Sequence, residues 1–107
     1  MKKSGLMAVL AAVLLLPSIA RADDYVLTLK DHQFSPKELA IPANQKIKLT
    51  VKNLDPAPAE FESSDLNREK VVAENGEIML FIGPLDAGRY VYFDDFHRET
   101  TGTIIVK

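Results

Sequence analysis

From Lys46 to Asn53 the chain alternates polar and apolar residues, so Ile47, Leu49 and Val51 share one face and the lysines take the other. A two-residue period is that of a β-strand with one buried face. The same period puts Tyr25, Leu27 and Leu29 on one side of residues 25–30. Shorter strands are predicted over residues 38–41, 59–63, 70–72, 77–82, 89–93 and 102–106. Turn-forming residues separate them: Pro42-Ala43-Asn44, the Pro-rich stretch 54–58, Asn75-Gly76, Gly83-Pro84 and Asp86-Ala87-Gly88. Residues 31–36 read as a bend with Phe34 plugging the core, and 94–101 as a loop. Asp65 caps at most one helical turn, through Arg68. Met79, on its strand, reads as core. About seven short strands without repeats or linkers predict an all-β, antiparallel Greek-key β-sandwich.

The first residues follow a different pattern. Lys2 and Lys3 precede an apolar run from Leu6 to Leu16, Pro17 breaks it, and Ala20-Arg21-Ala22 is an A-x-A cleavage pattern. A bilayer crossing needs about 20 apolar residues, more than this run supplies. The expectation is a signal peptide over 1–22, a single domain over 23–107, export to the periplasm and no stable membrane insertion after cleavage.

Cleavage would also change the charge. Without Lys2, Lys3 and Arg21, ten of the thirteen basic residues remain against fifteen acidic ones, a net of −5. That balance argues against nucleic acid or anionic lipid as partners and is compatible with cations. The chain has no Cys, so neither a disulfide nor a thiolate metal ligand is available. No nucleophile–base pair or G-x-S-x-G elbow suggests hydrolysis.

Tyr90-Val91-Tyr92-Phe93-Asp94-Asp95-Phe96-His97 resembles the ligand-bearing strand and loop of cupredoxins, the copper-binding β-sandwiches. In that family an aromatic-rich strand ends in a metal-binding Cys, and a His follows three residues later. Here Asp94 stands at the Cys position and His97 at the His position. Phe34-Ser35-Pro36-Lys37-Glu38-Leu39, Ile41-Pro42-Ala43-Asn44, Val51-Lys52-Asn53 and Gly83-Pro84-Leu85 extend the resemblance over nearly all of the domain. Ala59-Glu60-Phe61-Glu62 and Phe93-Asp94-Asp95-Phe96-His97 are similar to EfeO-type cupredoxin-like domains and to small periplasmic proteins associated with bacterial iron permeases. That resemblance implies iron or copper as the bound ion. It also implies a role in iron uptake beside a membrane iron permease or its periplasmic partner, by delivery or by a ferroxidase step.

Alternation places Asp94 on the face of Tyr90 and Tyr92, aimed inward, where a carboxylate is costly unless hydrogen-bonded, paired or coordinated. A turn-capping Asp is the alternative reading. Asp95 points the other way but lies where the chain leaves the strand. Either Ala59 or Glu60 faces the same opening: regular alternation about an inward Phe61 sends Glu60 and Glu62 away, and a bulge after Pro58 would turn Glu60 in. The metal-ligand candidates are therefore Glu60, Asp94 and His97, then Glu62 and Asp95. Glu62, Asp95 and Glu99 are candidates for a second iron site. Two carboxylates and an imidazole suit iron or Cu(II) and not Cu(I). His32 reads as exposed. A metal-free sandwich that docks a transporter or partner protein is the competing function.

Overall fold

The computed structural model describes residues 23–107, so the leader-like segment and its cleavage pattern lie outside the described residues. The strands are β1 (Asp23–Lys30), β2 (Gln33–Ser35), β3 (Glu38–Ile41), β4 (Ile47–Asn53), β5 (Ala59–Ser63), β6 (Arg68–Val72), β7 (Glu77–Ile82), β8 (Gly88–Asp94) and β9 (His97–Val106). They form two sheets, one ordered β2-β1-β4-β7 and the other β3-β9-β8-β5-β6. No helix occurs among the described residues.

The all-β sandwich is as expected, but its sheets are mixed rather than antiparallel. β1 pairs parallel with β4, and β3 parallel with β9. The cause is the path of the chain: after the β1–β2 hairpin it crosses to the second sheet for β3, then returns beside β1. Residues 33–35, expected in a bend, are a short strand whose Phe34 is buried as predicted. Asp65 caps no helical turn; its Oδ2 accepts the Val91 amide at 2.9 Å. The expected loop at 94–101 shrinks to the Asp95-Phe96 turn, because β9 begins at His97.

Alternation explains the core. Leu27, Leu29, Ile47, Leu49, Val51, Leu80 and Ile82 point inward from the first sheet, and Phe61, Val72, Tyr92, Ile104 and Val106 from the second. Burying each large side chain stabilises the fold by roughly 1.5–3 kcal/mol. Met79 is a correction: Leu80 and Ile82 take the inner face of β7, so Met79 and Phe81 are exposed. Tyr92 packs its ring edge-on to Phe34, with centroids 4.9 Å apart, and 5.1 Å from Phe61. Opposite it in the ladder is Gly102, where any β-carbon would overlap the Tyr92 ring.

Candidate functional site

At the end of β8 the inward alternation continues from Tyr92 to Asp94, which is 1% exposed. Its carboxylate is occupied by the protein itself. Oδ1 accepts the amide of Glu60 at 2.9 Å and that of Phe96 at 3.0 Å. Oδ2 lies 3.4 Å from His97 Nδ1. Asp94 thus ties β5 to β8, shapes the two-residue turn and orients the His97 ring. The inward placement read from alternation holds, and so does its turn-capping role.

Glu60 does not join Asp94 and His97 through its side chain. β5 has no bulge after Pro58: Ala59 and Phe61 are buried, so Glu60 and Glu62 project from the outer face of the sheet. Only the Glu60 backbone reaches the turn, its amide donating to Asp94 and its carbonyl accepting the Asp95 amide at 2.9 Å. Regular alternation thus prevails over the bulge that would have turned Glu60 inward. The five candidate ligands fall into two groups. Asp94 and His97 meet at the inner end of the sandwich, and Glu60, Glu62 and Asp95 meet outside.

The outer group is tight. One carboxylate oxygen from each of Glu60, Glu62 and Asp95 lies within 4.8 Å of the others. Glu69 stands directly across the ladder from Glu62 and adds a fourth acidic group. Arg98 is the nearby counter-charge. It reaches over the Phe93 ring, 5.5 Å from the centroid, to within 2.7 Å of Asp95 Oδ1, an ion pair without well-aligned hydrogen-bond geometry. Partial desolvation, then the Glu69 and Asp95 carboxylates, push the Glu60 pKa up to about 7. Glu62 is raised by desolvation and by Asp95 and Glu69, with Arg98 pulling the other way. Crowded carboxylates of this kind retain a proton until a cation replaces it.

The inner end is framed by residues that alternation did not single out. Asn53 is fully buried and donates from Nδ2 to the carbonyls of Ala57, Val72 and Ala73, while its Oδ1 accepts the Asp55 amide. Asp55, so fixed, accepts the amides of Asp31 at 2.6 Å and His32 at 3.0 Å. Thr100 Oγ1 donates to the His32 carbonyl at 2.8 Å. Glu69 was hidden because β6 begins at Arg68 rather than Lys70. Asn53 and Asp55 showed only the turn-former signal common to loops.

The donor set can be tested against the metals. With no thiolate in the chain, a blue-copper site cannot form. The outer oxygen donors fit a hard cation, whereas the imidazole at the inner end fits a borderline one.

Two packed mixed sheets with this strand order and an acid–imidazole end define a sandwich of cupredoxin type. The chain belongs to the cupredoxin-like domain family, whose model matches residues 4–106. It is 44% identical over 81 residues to uncharacterized protein RP394 of Rickettsia prowazekii (strain Madrid E); the match covers 75% of this chain and 65% of that protein, just under two thirds of its length. The metal-binding domain of the Streptococcus pneumoniae D39 Cu(I)-exporting P-type ATPase CopA superposes with a TM-score of 0.73 at 12% identity, over 84% of this chain and 91% of that one. Amicyanin from Paracoccus versutus superposes with a TM-score of 0.64 at 19% identity, over 82% and 85%. At these identities the two structures are similar to the chain in fold.

Proposed function

We propose that this cupredoxin-like protein binds a metal ion on the outer carboxylates Glu60, Glu62 and Asp95 and serves bacterial iron acquisition in the periplasm, with iron as the first ion and copper as the second. The observation that carries the reading is the approach of three carboxylate oxygens to within 4.8 Å. Like charges held this close without a cation are destabilising, and after desolvation the Glu69 and Asp95 carboxylates help to raise the Glu60 pKa. Among proteins of the same fold, the CopA metal-binding domain holds Cu(I) and an amicyanin variant has a reduced Cu(I) form, which supports metal binding here. The EfeO-type resemblance supports iron. The apolar leader with its A-x-A pattern supports export.

The cluster's chemistry is capture and release. Desolvation and the neighbouring Glu69 and Asp95 make Glu60 hold a proton more readily than an ordinary carboxylate, so an arriving cation displaces that proton and draws in the carboxylates. Arg98 competes for Asp95 and tempers the affinity. The cargo then passes to a membrane iron permease or its periplasmic partner. Delivery accounts for these residues without a ferroxidase step.

The experiment is anaerobic Fe(II) titration of metal-free, tag-free protein, followed by exposure to dioxygen. One equivalent is expected to bind, weakened about tenfold or more by Glu60→Gln with Glu62→Gln, as when ligands are lost from a site. Absence of binding, or binding indifferent to both substitutions, sinks the reading. Rapid oxidation on exposure to dioxygen would make the protein a ferroxidase rather than a carrier. The docking reading has one observation in its favour, the exposed Val26, Met79 and Phe81 on the other sheet. It becomes the better account if no metal binds.

A further inference from the structure

The chain has two histidines, and the fold brings them together from different sheets. His32 sits in the turn between β1 and β2, His97 at the start of β9, and their ring centroids are 4.3 Å apart at an interplanar angle of 41°. We propose that His32 and His97 form a second cation site, separate from the outer carboxylates, that takes a borderline divalent ion such as Zn(II) or Cu(II) through one nitrogen of each ring.

The orientation of His97 supplies the first argument. A carboxylate can only accept, so the contact with Asp94 Oδ2 is a hydrogen bond only when Nδ1 carries the proton. That tautomer leaves the Nε2 lone pair free. A buried carboxylate behind a ligating imidazole is the usual way in which proteins fix ring orientation and raise ligand basicity. Asp94 then acts as a positioning residue, and its two backbone hydrogen bonds keep it in place.

His32 supplies the second. Its backbone φ is 58°, and that of the preceding Asp31 is 51°. Left-handed conformations at two successive non-glycine residues match a tight hairpin turn, a place usually filled by Asn and Gly. This turn is held by buried groups on both sides: Asp55 binds the two amides and Thr100 the His32 carbonyl. An exposed imidazole has no packing need for such support. The anchors set the position of a side chain whose ring is otherwise in solvent.

Access and charge agree with a cation. The His97 side chain is 36% exposed, and on the other side of the pair His32, without His97, lines a concavity of about 520 Å³ with Asp31, Glu99 and Lys37. The two carboxylates outnumber the single lysine, and the concavity gives water access to the His32 side of the pair. Imidazole nitrogens favour Zn(II), Cu(II) and Ni(II), in contrast to the hard cations suited to the outer cluster. The Cys–His spacing of the family falls on Asp94 and His97, so the meeting of His97 with His32 across the sheets is a different arrangement.

The test uses tag-free protein carrying Glu60→Gln and Glu62→Gln, which silences the outer cluster and makes the result independent of the iron reading. Zn(II) is titrated by calorimetry at a pH of about 7.5, above the usual imidazole pKa. Cu(II) is followed by electron paramagnetic resonance. One equivalent of Zn(II) is expected to bind, and adding His32→Gln is expected to weaken it about tenfold or more. The Cu(II) spectrum should show coupling to two imidazole nitrogens, reduced to one by His32→Gln. Failure of the double variant to bind Zn(II) would overturn the proposal. So would an affinity and nitrogen coupling unmoved by His32→Gln.

Discussion

Asp94 and Asp95 are neighbours in the chain and opposites in the structure. Asp94 is buried, and the protein uses both its oxygens, through two amides and the His97 ring. Asp95 lies on the outer face among Glu60, Glu62 and Glu69, with Arg98 as its counter-charge. One carboxylate organises the end of the sandwich, and the other belongs to a group whose repulsion invites a cation. A buried acid reports a function only after its hydrogen bonds have been counted, because backbone amides satisfy it as well as a metal does.

The sharpest way to break this contrast is to remove each acid in turn. Asp94→Ala leaves the Glu60 and Phe96 amides without their acceptor and is expected to destabilise the fold by about 3 kcal/mol, read by urea unfolding. Asp95→Ala, on the partly buried outer face, is expected to cost less than about 1 kcal/mol in the same assay while weakening metal binding. Equal losses from the two would erase the distinction between anchor and ligand.

Next in size is the packing beside the anchor. Gly102→Ala places a methyl group against the Tyr92 ring and is expected to cost about 2 kcal/mol, as overpacking of a tight core does. A smaller cost would show that the ring has room to move.

Protonation probes the outer face. The folded-state pKa of Glu60 is raised from 4.5 to about 7, so the folded chain holds a proton that the unfolded chain releases. Its stabilising effect is complete below pH 4.5 and is lost as pH rises through about 7. Thermal melting of metal-free protein should therefore decline between pH 5 and 8, and Glu60→Gln should flatten that decline. A steeper decline in the variant would contradict the assigned cause. The smallest effect belongs to Arg98→Ala. Loss of this exposed counter-charge is expected to tighten cation binding by about two- to fivefold, in line with the weak energies of surface ion pairs.

Much of this was legible in the residues. The alternation of Ile47, Leu49 and Val51 gave the inner face of β4, the Tyr90, Tyr92 and Asp94 series gave the inward carboxylate, and the turn at Asn75-Gly76 fell between strands as expected. Regular alternation about Phe61 sends Glu60 and Glu62 outward, and the bulge expected to turn Glu60 toward Asp94 and His97 does not form. Other features escaped the same reasoning. Met79 took the solvent side because Leu80 and Ile82 claimed the core, a choice set by which face of β7 meets the opposite sheet. Glu69 joined the acidic group through its register with Glu62, and register across strands is not written in either strand alone.

The sequence by itself determined most of the strands, the two-faced pattern that requires a sandwich, the absence of any thiolate ligand and the set of acids and imidazoles available for a metal. Those properties follow from local period and residue chemistry. Only the tertiary structure decided which of these groups meet. The crossing between sheets set β1 beside β4 and carried His32 to His97, and the pairing of β5 with β6 and β8 sorted the acids into a buried anchor and an outer cluster. Such meetings depend on strand register and on contacts between segments far apart in the chain, and these are fixed only when the two sheets pack face to face.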